Sequence, residues 1–306
     1  MGQHTYLAPA FIALLALGGQ VGLPILVLTF LRSKKLNRRS TFVNFCITVI
    51  IYSLAFCILL YSGQYRRTQP NHALCGAQAS MIMGAIPMVG VAALTIVLQL
   101  WATFQSPGSF VFDTFERPGV SFILLASPYA TFFGYLLGSI VVVTHRPDSV
   151  WAHNGLYCFF NLRAIWYYLV PVTCLVVIAL TALLEVEWYL RWRSLKKAFP
   201  LADKKAQALV CLRVCLFTVY TWFSLAAAFM LREESSPAVP YLFLAGLPLA
   251  TFLVFATQND ILIAWGLRKA APLETPPASF DQRAPTSNTT FTGDALSSPY
   301  LRESWP

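Results

Sequence analysis

The residues able to do chemistry are few, and most lie where apolar runs begin or end. Seven are cysteines. Cys46, Cys57, Cys174, Cys211 and Cys215 fall within apolar runs or at their margins, where a thiol acts as a small packing group. Cys75 and Cys158 stand apart, each in a short polar stretch just ahead of an apolar run. On an oxidising side of a membrane such a pair forms a persistent disulfide; otherwise they are two unrelated free thiols. The four histidines, His4, His72, His145 and His153, are scattered outside the runs. The one metal reading they allow is a cluster of His72, His145 and His153 at a single face. No serine or cysteine stands beside a histidine, and no paired aspartates lie within a run, so an activated nucleophile with its base is missing. Enzymatic activity, a resident metal and a cofactor are therefore not expected. The remaining ionisable set is Glu185, Arg213 and Asp260, whose chemistry is charge pairing.

The elements that position these groups follow from composition. The chain is 57% hydrophobic and 11% charged, whereas a soluble domain carries about 25% charge. Its apolar residues gather in seven blocks: Leu7–Leu31, Phe42–Ser62, Gln78–Phe104, Gly119–Val143, Ala164–Leu190, Leu209–Leu231 and Tyr241–Leu267. Each has roughly the 20 residues that a bilayer crossing requires. Without water to bond exposed N–H groups, such blocks must be helical, and the alternating ten-residue strands of a barrel are not seen. The expectation is an all-α bundle of seven transmembrane helices over residues 1–267, followed by a tail at 268–306. The first block is taken as a true span, because "MGQHTY" places no basic residue ahead of it as a signal peptide would. The same start misses the myristoylation pattern at Tyr6.

Orientation comes from the short loops. With the N-terminus outside, the cytosolic segments hold Arg32, Lys34, Lys35, Arg38, Arg39, Arg117, Arg191, Arg193, Lys196, Lys197, Lys204, Lys205, Arg268 and Lys269. The outer segments hold only Arg66, Arg67, Arg146, Arg163 and Arg232. The formal charge of +9 is then mainly a topology signal, with attraction to anionic lipids of the inner leaflet. It is not a nucleic-acid footprint, since the charges flank spans. This sidedness exports both Cys75 and Cys158. With no third cysteine outside, they are each other's partner. The bond would draw the second outer loop across the mouth of the bundle.

Seven spans, an exported N-terminus and a bridge from the top of the third helix to the second outer loop resemble the G-protein-coupled receptor architecture. The resemblance covers residues 1 to about 267 and lies in topology more than in signature residues. Where the commonest receptor class has an acidic–Arg–Tyr triplet, this chain has Gln99-Leu100-Trp101. In place of an Asn-Pro-x-x-Tyr motif it reads "ATQNDILIAW", Ala256 to Trp265. The stretch "CGAQASMIMGAIPMVGVAALTIVLQLW" and the Pro/Ser/Thr-rich tail are similar to divergent receptor-like seven-span proteins of mushroom-forming fungi, with fungal pheromone receptors more distant. The resemblance implies a plasma-membrane receptor with a heterotrimeric G protein as cytosolic partner.

Glu185 lies ~32 Å along its block, Arg213 ~6 Å and Asp260 ~28 Å, at 1.5 Å per residue. Alternating directions bring all three to the cytosolic edge, where Glu185 or Glu187 could pair with Arg213 as a switch, with Asp260 joining. The alternative is that they snorkel to headgroups. Pro24, Pro87, Pro128, Pro171 and Pro248 sit inside blocks and remove helix hydrogen bonds. Kinked helices suit an internal cavity, for which the outer-half candidates are Gln20, Gln78, Trp166, Trp222 and Tyr241, with Phe159 as a cover. None is charged, so an apolar or lipidated ligand fits better than a cationic amine. Gly18/Gly22 and Gly134/Gly138 have the small-x-x-x-small spacing that permits close helix contact, within the bundle rather than between copies. The tail, with "TSNTTFT", has too few large apolar groups to fold and is expected to be a disordered cytosolic segment.

Two rival readings remain. A retinal protein needs a lysine in the last span, and Tyr241–Leu267 has none. A facilitator of neutral solutes needs no midplane charge and is the serious alternative, although the repeats common in carriers are missing.

Overall fold

The computed structural model describes residues 8–32, 40–64, 70–103, 117–153, 157–160, 165–198, 213, 215–224 and 238–267. All belong to the unit Met1–Arg268. The 268–306 tail lies outside the described residues, as does most of the Leu209–Leu231 block.

What is described is overwhelmingly helical. In chain order the helices are α1 (Ala8–Arg32), α2 (Ser40–Phe56) and α3 (Ile58–Tyr61). Next come α4 (His72–Thr103) and α5 (Pro118–His145). The rest are α6 (Ile165–Ala198), α7 (215–224), α8 (Ala238–Ala256) and α9 (Asn259–Ala264). Among the described residues four helices are long and apolar enough to cross a membrane: Ala8–Arg32, His72–Ala102, Pro118–His145 and the stretch Leu169–Glu187 within α6. Ser40–Phe56 and Tyr241–Ala256 are apolar but shorter. Helices of this length and hydropathy mark a membrane protein.

Two of the expected spans are interrupted. The block Phe42–Ser62 breaks at Cys57, whose N–H tightens onto Leu54 O at 3.0 Å before α3 begins. The block Tyr241–Leu267 breaks after Ala256, and Gln258 in extended conformation starts α9. Apolar content alone does not register either break, because neither interrupts the hydrophobic run. By contrast α4 starts at His72, ahead of the expected Gln78, so that Cys75 lies inside the helix. Gly63 and Gly266, at φ of 68° and 73°, end α3 and α9 in one way. The residue after each glycine bonds back five residues, Gln64 to Leu59 and Leu267 to Leu262, a left-handed stop that glycine adopts without a Cβ clash.

A short hairpin adds the one sheet among the described residues. Strands β1 (Val150–His153) and β2 (Tyr157–Phe160) pair antiparallel, with Ala152 opposite Cys158 and His153 opposite Tyr157. Helix α4 is the central element, with 67% of its most apolar stretch buried against 11% for α5. The outward side of α5 shows Phe122, Ile123, Phe133 and Leu137, as a lipid-facing helix does.

The core runs the length of the bundle through α1, α2, α4 and α8. At one end Phe30, Phe42, Phe45, Phe217 and Phe255 form a chain of edge-to-face and tilted rings, with centroids 4.4–5.9 Å apart from each ring to the next. At the other end Phe11, Tyr52, Phe56, Tyr157 and Tyr241 gather through stacked, edge-to-face and tilted contacts. Close approach of α1 to α8 needs glycine. A Cβ on Gly18 would lie 2.2 Å from Leu249 N, and one on Gly22 would lie 2.7 Å from the Phe252 ring. Thus Gly18/Gly22 is a packing seam within the chain, whereas Gly134 has nothing within 4 Å.

Candidate functional site

The hairpin end is built around a covalent anchor. Cys75, in the first turn of α4, is joined to Cys158 of β2 with their Cα atoms 5.2 Å apart. Beneath the bond lies Gln78, fully buried at 0% exposure. Its Nε2 donates to Ala55 O at 3.2 Å and to Phe56 O at 3.0 Å, the carbonyls at the α2–α3 break. Its Oε1 accepts the Cys158 N–H at 3.0 Å. One amide therefore ties three elements and uses both its donors, so Gln78 holds the site together and presents no polar atom to a ligand. His72 Nε2 lies 2.7 Å from Pro147 O and donates to it, fixing the segment that leads into β1.

The hairpin does more than cover the mouth. Tyr157, the first residue of β2, is 4% exposed. Its ring stacks on Phe11 of α1 at 5.9 Å, meets Phe56 of α2 edge-on at 5.2 Å and faces Tyr241 of α8 at 6.5 Å. Burial, aided by neighbouring Tyr241 and Tyr52, pushes the Tyr157 hydroxyl well above its ordinary range. It therefore stays a neutral phenol at any physiological pH. The register that pairs Cys158 with Ala152 turns successive β2 side chains to opposite faces. Sequence reasoning picked out Phe159 and missed Tyr157. The available signal was this alternation: Phe159 lies two residues from Tyr157, on the same face, and the two rings are 6.4 Å apart.

Of the other ligand candidates, Tyr241 is fully buried in the same aromatic group. Gln20 lies in the π-helical segment Ala16–Gly22 of α1, beside Cys57 and Tyr61. Trp222 lies in α7. The Gln20 amide reaches the Cys57 thiol and the Tyr61 hydroxyl, whereas Trp222 Nε1 is a buried donor with no hydrogen-bond partner among the described residues, a circumstance that calls for a reason in a folded protein. Trp166 is placed only as a backbone position in α6, and its side chain lies outside the described residues.

The opposite, tail end differs from the expected ion pair. Arg213 Nη2 donates to the backbone carbonyl of Thr257, 2.6 Å away, at the turn between α8 and α9. Glu185 of α6 instead accepts a hydrogen bond from Thr218 Oγ1 of α7. Among the described contacts of Arg213, Glu185 does not appear. A carbonyl at a helix end carries partial negative charge and attracts a cation, and Thr218 lies closer along α7 to the level of Glu185 than Arg213 does. Asp260 is placed in α9 by its backbone alone. Trp265 Nε1 donates to Thr29 Oγ1 of α1 at 3.0 Å, tying α9 to the bundle. Gln99 of α4 accepts a hydrogen bond from Thr41 Oγ1 of α2.

No protein-family model matches the chain, and no curated protein matches its sequence. Fold and site alone therefore define the class: a helical membrane protein with a disulfide-anchored hairpin plugged into one end of its bundle.

Proposed function

We propose that this protein is a seven-span receptor of the G-protein-coupled type in the plasma membrane, sensing an extracellular apolar or lipidated ligand. In this reading α2 with α3, and α8 with α9, each belong to one crossing, and α7 belongs to the sixth. The N-terminus and hairpin face outward, and the tail is cytosolic.

The observation that carries the reading is Tyr157 seated between α1, α2 and α8 on a hairpin bonded to α4. A loop fixed covalently and plugged into the interior suits a molecule that registers a ligand better than one that passes a solute. The uncharged surroundings favour an apolar ligand, and the buried donor Trp222 Nε1 suits one with a carbonyl or ether oxygen. On the cytosolic side, Arg213 and Thr257 join the sixth and seventh helices where a heterotrimeric G protein would dock.

The test needs no ligand. Co-expression with a panel of Gα subunits should give an association that guanine nucleotide dissolves and that Arg213→Ala alters. Solute flux into reconstituted vesicles, with no Gα association, would instead establish the facilitator. Tags showing the N-terminus inside intact cells would remove both the sidedness and the receptor.

A further inference from the structure

Pro248 has no N–H, so the carbonyl four residues earlier, Leu244 O, lacks its helical donor. The Tyr52 hydroxyl of α2 supplies one from 3.1 Å, with both groups buried. The preceding carbonyl, Phe243 O, receives Tyr220 of α7 at 3.0 Å, with Ser224 Oγ at 3.4 Å. Gly246 makes room for this, since a Cβ there would lie 2.4 Å from the Tyr220 hydroxyl. The proline joint of α8 is thus bonded from two neighbouring helices.

It also rests on a second irregular element. Pro248, Leu249 and Phe252 lie against Gly18, Gly19 and Gly22, within or beside the π segment of α1. Segments of this kind are local departures from α geometry that recur at functional positions. Ser53, adjacent to Tyr52, donates to Leu15 O at the start of that segment, 2.9 Å away. Two successive residues of α2 therefore hold both irregular helices, one each.

We propose that Tyr52 and Ser53 position a hinge formed by the π segment of α1 and Pro248 of α8, through which the hairpin end sets the geometry of the tail end. The route is contiguous. The Tyr157 ring packs on Phe56, Phe56 lies 4.8 Å from Tyr52, and Tyr52 bonds Leu244 O. Beyond Pro248, α8 runs to the Thr257 turn held by Arg213. A ligand that moves Tyr157 disturbs the aromatic support of Tyr52 and so the bond that fixes the hinge. Coupling of this kind requires an element with two arrangements that both sites bias, and a helix joint held by side chains of other helices supplies one. The signalling consequence rests on the receptor reading; the hinge itself does not.

The experiment uses the whole chain in detergent without ligand or Gα. Spin labels are placed at exposed Phe122 of α5 and Leu267 after α9, with Cys215 changed to serine. Tyr52→Phe keeps the ring and deletes only the hydroxyl, so the label-to-label distance should split into two populations. Pro248→Ala gives Leu244 O its own helical donor and makes the hydroxyl redundant. In that background Tyr52→Phe should leave the distance unchanged, a cycle that isolates the pair. Tyr220→Phe should act in the same direction and stands in if Tyr52→Phe fails to fold. An unsplit distribution in Tyr52→Phe, or equal splitting with and without Pro248, overturns the hinge. Splitting without any Gα association keeps the hinge and drops the receptor.

Discussion

Both ends of the bundle carry an aromatic cluster, but they differ in what is added to it. At the hairpin end a disulfide, the three-way amide of Gln78 and the His72 contact fix backbone to backbone through directional bonds. At the tail end the helices meet through phenylalanine rings, and polar ties are single: Arg213 to Thr257 O, Thr218 to Glu185, Trp265 to Thr29. Each ring pair is worth only about 0.5–1.5 kcal/mol and accepts either offset-stacked or edge-to-face geometry, so one set of contacts can be exchanged for another at modest cost. A covalent loop and a buried amide with every atom engaged have no second arrangement of equal energy. The contrast teaches that the hairpin end is a fixed frame and the tail end is the part free to rearrange.

If so, the largest losses come from the hairpin end. Changing Cys75 and Cys158 together to serine frees a loop spanning 83 residues of sequence. It should cost roughly 2–5 kcal/mol, read as a drop in thermal midpoint by size-exclusion of heated detergent samples. Next is Gln78→Leu, which keeps the volume but strands two carbonyls and the Cys158 N–H. At about 1 kcal/mol or more for each stranded group, it should cost about 3 kcal/mol. A midpoint within a degree of wild type would show that the amide is dispensable and break the comparison.

How far this could be read beforehand depends on the signal each part leaves. The apolar blocks and the Cys75–Cys158 bond were legible, because burial in lipid dictates residue type along whole helices and these two thiols alone stand in polar stretches. The breaks at Cys57 and Ala256 were not, since carbonyls released there are bonded by Gln78 and Arg213 from distant parts of the chain. The role of Gln78 was misjudged for the same reason: a buried glutamine reads alike whether it faces a ligand or another backbone. Arg213 was offered Glu185 or Glu187 as a partner, and its guanidinium bonds the Thr257 carbonyl. Helix length fixes depth, but rotation about the axis decides whether a side chain reaches Glu185 or Thr257. The hinge left only prolines and tyrosines with no fixed spacing between them.

The glycine pairs give a smaller and sharper contrast. Gly18→Ala drives a Cβ against the backbone of α8, which cannot step aside as a side chain would, and should cost roughly 1–3 kcal/mol as overpacking. Gly134→Ala enters open space and should be neutral or slightly stabilising as a better helix former. Both share the same spacing motif, so thermal midpoints of the two variants separate packing within the chain from association between copies. Equal losses, or a change in oligomeric state with Gly134→Ala alone, would reverse that assignment.

The smallest expected effect tests the tail end most directly. Trp265→Phe keeps a ring beside Phe252, which lies 6.5 Å away, and removes only the bond to Thr29 Oγ1. Because the indole is partly exposed, the global cost should be about 0.5–1 kcal/mol, a small fraction of the Gln78→Leu loss. The local effect should be larger than the global one. With α9 untied from α1, amides at Trp265, Gly266 and Leu267, now bonded to Ile261 O, Ile263 O and Leu262 O, should exchange faster while those around Cys158 stay protected. Such a split means that α9 opens as its own unit, at lower free energy than the bundle as a whole. Were exchange to rise equally at both ends, the molecule would be one cooperative block, and a rigid frame facing a movable end would no longer describe it.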